Sequence, residues 1–201
     1  MSREEDPQLD AFAVDVRELL ARNVANLYSH LITRPTGRAV RIAIEAQLAE
    51  LRRPALSIID FSSVAILDYS CADEVVAKLL LKGQKRSASG RAMEAFFVFR
   101  GIDERHLDPV LEVLARHGLA AVTAPPGGES FELMGETTKL ERLTWQAVEE
   151  AGRLLESELP IAPPGSGSEG VVRRLAERGL VFHHPFRGEV HALSRLVRGV
   201  G

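Results

Sequence analysis

The chain has 201 residues, a formal net charge of −3 and 45% apolar residues, enough for one large or two small domains with real cores. The weak negative charge argues against wholesale coating of nucleic acid or membrane, and no run approaches membrane-spanning length. The single cysteine, Cys71, excludes an internal disulfide and fits a reducing cytoplasm.

The opening MSREEDPQLD is acidic and lacks an apolar export core, so a cytoplasmic protein without membrane contact is expected. Apolar positions Ala11, Val14, Val16, Leu19, Leu20 and Val24 predict an amphipathic helix over Asp10–Asn26. Leu27, Ser29 and Leu31 alternate as in a strand, and Arg34-Pro35-Thr36-Gly37 breaks it. Thr36 is the expected N-cap of a helix to Leu51, with Val40, Ile44 and Leu48 on one face.

Leu56 to Leu81 is the most informative stretch: LSIIDFSSVAILDYSCADEVVAKLLL. It predicts a buried strand, a tight connection, and a helix whose first turn carries Asp68, Ser70 and Asp73. Lys82–Arg91 is expected to be loop or a frayed helix end. The continuous apolar run of Met93–Phe99 predicts a buried parallel strand. A helix over Asp103–His117 follows, stopped by Gly118, and then a short strand over Ala120–Ala124. Strands alternating with helices predict an α/β layer with right-handed crossovers.

Pro125-Pro126-Gly127-Gly128 marks a candidate boundary. The expected division is an α/β domain with its N-terminal helix over 1–125, a linker over 126–136 and a small α+β domain over 137–201. Helical spacing runs from Lys139 to Leu159, with Gly152 separating two short helices and Trp145 in the first. Past the turn-rich PIAPPGSGSEG, Ser166 or Ser168 is placed to cap a helix running to Gly179. Two apolar runs around an Arg187-Gly188 tip then predict a hairpin. Val171–Gly201 carries six Arg and two Glu, so this end sums to +4 against −7 for the rest. An acidic partner or a solvated face accounts for such asymmetry.

The segments Ile58-Ile59-Asp60-Phe61-Ser62-Ser63-Val64, Ile66-Leu67-Asp68-Tyr69-Ser70 and Ala72-Asp73-Glu74, with Phe97-Val98-Phe99 and His117-Gly118-Leu119, resemble the STAS family of anti-sigma factor antagonists. With Thr33–Gly37 and its following helix, the likeness is closer to STAS-like relatives, over roughly Leu27 to Val122. It implies a STAS-like mixed sheet packed with helices. It also implies that Ser70 occupies the position a partner kinase phosphorylates, with Asp68, Tyr69, Asp73 and Glu74 as a partner-binding surface. The family's Asp-Ser-Ser-Gly falls on Asp68-Tyr69-Ser70-Cys71, so Tyr69 and Cys71 depart from it. Ser70 thus reads as a helix cap or as a phosphoacceptor.

The C-terminal order of helix, short helix, helix and hairpin resembles a winged-helix DNA-binding domain. That likeness implies base contacts from Ser166, Ser168 and their neighbours, and phosphate contacts from Arg173, Arg174 and Arg187. Asp60 and Asp68 read as strand-end turn residues, and Cys71 as a small buried hydrophobe. His183, His184 and His191 read as hairpin residues, and Gly165-Ser166-Gly167 lacks a phosphate-loop lysine. No nucleophile–base pair or ligand cluster emerges, so no catalysis, metal or cofactor is expected.

The reading is a non-enzymatic bacterial regulator, in which a STAS-like sensing or partner-binding domain is coupled to a winged helix that acts on double-stranded DNA. The alternative is a partner-switching module that never touches DNA. The partner would be a kinase or anti-sigma-like protein, and the N-terminal helix is a candidate homodimer face.

Overall fold

A computed structural model describes residues 10–15, 30–50, 55–88, 95–125, 130–159, 168–184 and 187–197. The elements are β1 (Asp10–Asp15), β2 (His30–Leu31), α1 (Arg34–Glu50), β3 (Ala55–Asp60) and β4 (Ile66–Leu67). A long helix follows, α2, made of Tyr69–Ala72, a π turn at Asp73–Ala77, and Lys78–Ala88. Then come β5 (Ala95–Arg100), α3 (Glu104–His117), β6 (Ala120–Ala124), β7 (Glu132–Gly135) and α4 (Lys139–Ala151). The chain continues through β8 (Arg153–Leu155), a 3-10 turn (Glu156–Glu158), α5 (Ser168–Glu177), β9 (Val181–His183), β10 (Glu189–Ala192) and α6 (Leu193–Val197).

The main sheet has five strands in the order β1-β3-β5-β6-β7. The first four are parallel and β7 is antiparallel to β6. From β1 to β6 the chain steps always in one direction across the sheet. Right-handed crossovers then put every connecting helix on the same face. The packing agrees. Val40 and Ile44 of α1, Val75, Val76 and Leu79 of α2, and Val110, Val113 and Leu114 of α3 share one core with Ile59, Phe61, Phe97 and Phe99.

That topology leaves the opposite face bare, although parallel strands are stable only when both faces are covered. The C-terminal unit supplies the cover. Leu56, Ile58, Phe96, Val98 and Val122 share a second core with Trp145, Val148, Val171, Val172, Leu175, Leu180 and Phe182. Phe96 meets Phe182 edge-on at a centroid distance of 5.8 Å. Trp145 Nε1 donates to the Leu180 carbonyl at 3.2 Å, so the indole is buried without an unpaired donor. Within this unit a small antiparallel sheet runs β8-β10-β9, flanked by α4 and α5.

The α/β class, the strands at β3, β5 and β6, and α3 agree with the sequence. In α3, Asp103 accepts the Arg105 amide at 2.9 Å, and Gly118 ends the helix at φ 62, where a side chain would be strained. Other expectations are corrected. Asp10–Asp15 is a strand, paired with β3 from Asp10–Ala55 to Asp15–Asp60; six residues are too few to separate a period of 3.6 from one of 2. The remainder of that predicted helix lies outside the described residues.

Helix α1 begins at Arg34 rather than after Thr36. Thr33 caps it, its Oγ1 accepting the Thr36 amide at 3.4 Å and its carbonyl the Gly37 amide at 3.1 Å. Pro35 then lies in the first turn, where its missing donor costs nothing. Lys82–Ala88 continues α2 instead of fraying. Glu132–Gly135, placed in a linker by composition, is the edge strand of the main sheet. Beyond Gly152 the chain forms β8, not a second helix, because β10 pairs with it. Ser166 lies outside the described residues, and Ser168 is the first residue of α5.

Candidate functional site

The candidate site is the turn where β4 enters α2. The Asp68 amide donates to the Leu31 carbonyl at 2.7 Å, extending the β2–β4 ladder and fixing the turn beside the start of α1. Asp68 is extended (φ −86, ψ 153), and its Oδ1 accepts the Ser70 amide at 2.6 Å. The Ser70 side chain and amide together hold Asp68 below its ordinary pKa. The cap is therefore Asp68. Ser70, the cap expected from the sequence, sits half-buried inside the first turn.

Cys71 is fully buried, and its Sγ donates to the Thr33 carbonyl at 2.9 Å. Burial pushes the thiol up to about 11, so it carries no thiolate at neutral pH. A Cβ added at Gly37 would lie 2.9 Å from Cys71 Cα. The room lost by placing cysteine in α2 is thus recovered in α1 by a glycine, and the two helices touch there.

Asp73 and Glu74 do not form a partner-binding surface. The π turn directs both inward, and Glu74 is only 2% exposed. Arg34 Nη1 reaches Asp73 Oδ2 at 2.6 Å and Glu74 Oε1 at 3.0 Å, while Arg41 Nε reaches Glu74 Oε2 at 3.1 Å. Lys78 bonds Glu74, and His117 Nε2 lies 2.9 Å from Asp73 Oδ1. Glu45 extends the network to Arg41 at 2.7 Å and Lys82 at 2.8 Å. Burial pushes the Asp73 carboxyl up, yet hydrogen bonds from Arg34 and His117 outweigh it and hold the group at about 2. Burial likewise raises Glu74, and Lys78 with Arg41 brings it below its usual range.

What remains on the surface is Asp68, Tyr69, Ser70 and two residues the sequence reading missed. Tyr69 is 50% exposed, Ile66 48% and Ile32 45%. In the β2–β4 pair, Leu31 and Leu67 are buried while their neighbours Ile32 and Ile66 face out. Alternation about Leu31 and Leu67 was the available signal, but the pairing of such short strands was not readable. The missed cations Arg34 and Arg41 had a signal too: two adjacent acids on an apolar helix require partners if they are buried.

The C-terminal arginines are placed less uniformly than the sequence suggests. Arg173 is 79% exposed at its side chain, paired with Glu177 at 2.8 Å. Arg174 leans toward buried Glu141, 3.6 Å away, and Arg178 reaches the same carboxylate at 3.4 Å. Thr138 also bonds Glu141 through its amide and hydroxyl, at 2.8 and 3.0 Å. Arg174 is thus engaged in holding α5 onto α4. Arg187 is exposed beside the Gly188 turn. His183 and His191 take Glu156 and Glu189 at 2.6 and 3.2 Å, pairs within the small sheet and its turn.

Chemically the Asp68–Ser70 turn offers a hydroxyl beside a carboxylate at a helix start, framed by apolar side chains. His106 is buried against the Val64 carbonyl at 2.8 Å and does not reach Ser70 as a base. Among the described residues no group of three His, Cys, Asp or Glu is placed to hold a metal ion, and no helix is long and apolar enough to cross a membrane. No protein-family model matches the chain, and neither a curated protein nor a solved structure matches it.

Proposed function

We propose that the protein is a non-enzymatic bacterial regulator, in which the Asp68-Tyr69-Ser70 turn docks a protein partner of the kinase or anti-sigma type. In this reading the main sheet and its helices form a STAS-like unit, and the C-terminal unit is a winged helix that passes the signal to DNA. The observation that carries it is the apolar exposure around the turn. Ile32, Ile66 and Tyr69 stand about half exposed on the paired β2–β4 ends and the first turn that lead into Ser70, and clustered exposed apolar side chains mark interaction surfaces. A phosphate on Ser70 would bring about −1.5 to −2 charges beside anionic Asp68, and repulsion would change what the turn accepts.

The test titrates purified ATPases of the histidine-kinase-like class from the same organism, starting with any encoded beside this protein's gene. Ile66→Ser with Tyr69→Ala should abolish complex formation in a calorimetric titration while the melting temperature stays within a few degrees. Undiminished affinity would remove the turn from the interface.

The reading without DNA contact is favoured by a separate observation, the engagement of Arg174 and Arg178 with Glu141. A salt titration of duplex binding separates the two, because phosphate contacts release counterions. Absence of salt-sensitive binding at low ionic strength would leave the partner-switching module alone.

A further inference from the structure

The last turn of α3 stands between the two halves of the molecule and is tied to both. On one side His117 Nε2 holds Asp73 Oδ1 at 2.9 Å, and Asp73 opens the π turn of the Ser70 helix. On the other side Arg178, just past α5, donates to the Gly118 carbonyl at 3.4 Å and to the Glu136 carbonyl. Glu136 itself donates its amide to the Leu119 carbonyl at 2.8 Å. Arg178 also reaches Glu141 of α4. His117 thus bonds the helical layer and Gly118 the C-terminal unit, while Leu119 holds Glu136, whose carbonyl is the second acceptor of Arg178.

We infer that this His117–Leu119 segment is a joint coupling the π turn of α2 to the seating of α4 and α5. The inference rests on the reading of the Ser70 helix as the partner-facing element, to which it adds a route. The element with two arrangements is the π turn. An α-helix that gives up its extra π residue rotates the adjoining segment by about 100° and shifts it by about 1.5 Å. Asp73 and Glu74 begin that turn, so such a change would withdraw them from Arg34, Arg41 and His117. Releasing His117 loosens the end of α3, where the carbonyl of the next residue, Gly118, receives Arg178. The coupling is reciprocal: loosening Arg178 weakens the hold on the π turn by the same factor.

Two readouts lie at opposite ends. Trp145 is the only tryptophan and bonds Leu180, next to α5, so its emission reports the C-terminal unit. Amide exchange over Asp73–Ala77 reports the π turn. In the full chain without any partner, Arg178→Ala should speed exchange at Asp73–Ala77 about fivefold or more, and His117→Ala should speed exchange at Val171–Leu175 and shift Trp145 emission. Combining the two should add little at either distant end, because both break one connection. Arg178→Lys and His117→Gln, which keep most of the packing, read the same peptides if an alanine variant loses the fold. Changes confined to the mutated side in these variants would overturn the joint. Because no partner is present, that failure would leave the docking proposal standing, and a partner that fails to bind would leave the joint standing.

Discussion

The two faces of the main sheet are covered in different ways. One is covered by α1, α2 and α3, which the chain makes on its way between parallel strands. The other waits for a unit made after the sheet is complete. The first face joins its helices through charge, with Asp73 and Glu74 buried among Arg34, Arg41, Lys78 and His117. The second relies on aromatic packing and the Arg178 clamp. Crossover handedness explains the contrast. A chain stepping one way across a sheet places all its crossovers on one face, and the other must be covered by residues distant in sequence.

If this is right, the largest single loss comes from the face covered last. Trp145→Ala removes a large side chain from the second core and its bond to Leu180, and should destabilise the fold by about 4 kcal/mol, within the range for buried aromatics. Urea unfolding measures it. A loss under about 1 kcal/mol would mean that the C-terminal unit rests on the sheet without supporting it. Glu74→Ala tests the charged face and should cost about 3 kcal/mol, since it strands Arg41 and Lys78 beside a buried site. Both cations keep some exposure and rehydrate in part, which sets this loss below that of Trp145. A Glu74 effect no greater than that of an exposed ion pair would reduce the contrast between the faces to one of composition.

Gly37→Ala probes the contact between α1 and α2 and should cost about 1–2 kcal/mol. The added Cβ would lie 2.9 Å from Cys71 Cα, a clash with backbone that overpacking studies put at about 1–3 kcal/mol. Alanine's better helix propensity offsets up to about 1 kcal/mol. Cys71→Gly in the same chain should recover only part, because the contact with Cα persists while those with Cβ and Sγ at 3.2 Å disappear. A stabilised Gly37→Ala protein would show that the helices separate without penalty there.

Legibility in the sequence followed distance along the chain. Apolar runs at β3 and β5 announced buried strands, and Asp103 and Gly118 announced both ends of α3, because the causes are local. β1, β7 and β8 were missed because each is a strand through its neighbour: Asp10–Asp15 through β3, Glu132–Gly135 through β6, Arg153–Leu155 through β10. The position of Ser70 was legible, while its role as cap went to Asp68, two residues earlier and equally suited by type. The STAS resemblance placed Asp73 and Glu74 on a partner-binding surface. Their burial depends on Arg34 and Arg41, far back in the sequence, and on a π turn that no spacing rule reveals.

The last effect is one of pH, and on the charged face it centres on Asp73. Asp73 is held at about 2 in the folded chain against an ordinary value of 3.8. A carboxylate with a depressed folded pKa contributes stability that is fully present above its unfolded pKa and is lost as the pH falls through the folded value. The contribution of Asp73 is thus complete above about pH 4 and disappears between there and about pH 2. Glu74 is shifted in the same direction and adds to the slope. On the other face burial raises Glu141, and Thr138, Arg178 and Arg174 bring it below its usual range, so it is the Asp73 variant rather than the bare acid slope that isolates the charged face. Asp73→Asn should lower stability at pH 7 and flatten the decline between pH 4 and 2 relative to the parent chain. Parallel curves for the two proteins across that window would show that Asp73 gains nothing from Arg34 and His117 in the folded state. The joint at His117 would then have lost its anchor on the π turn.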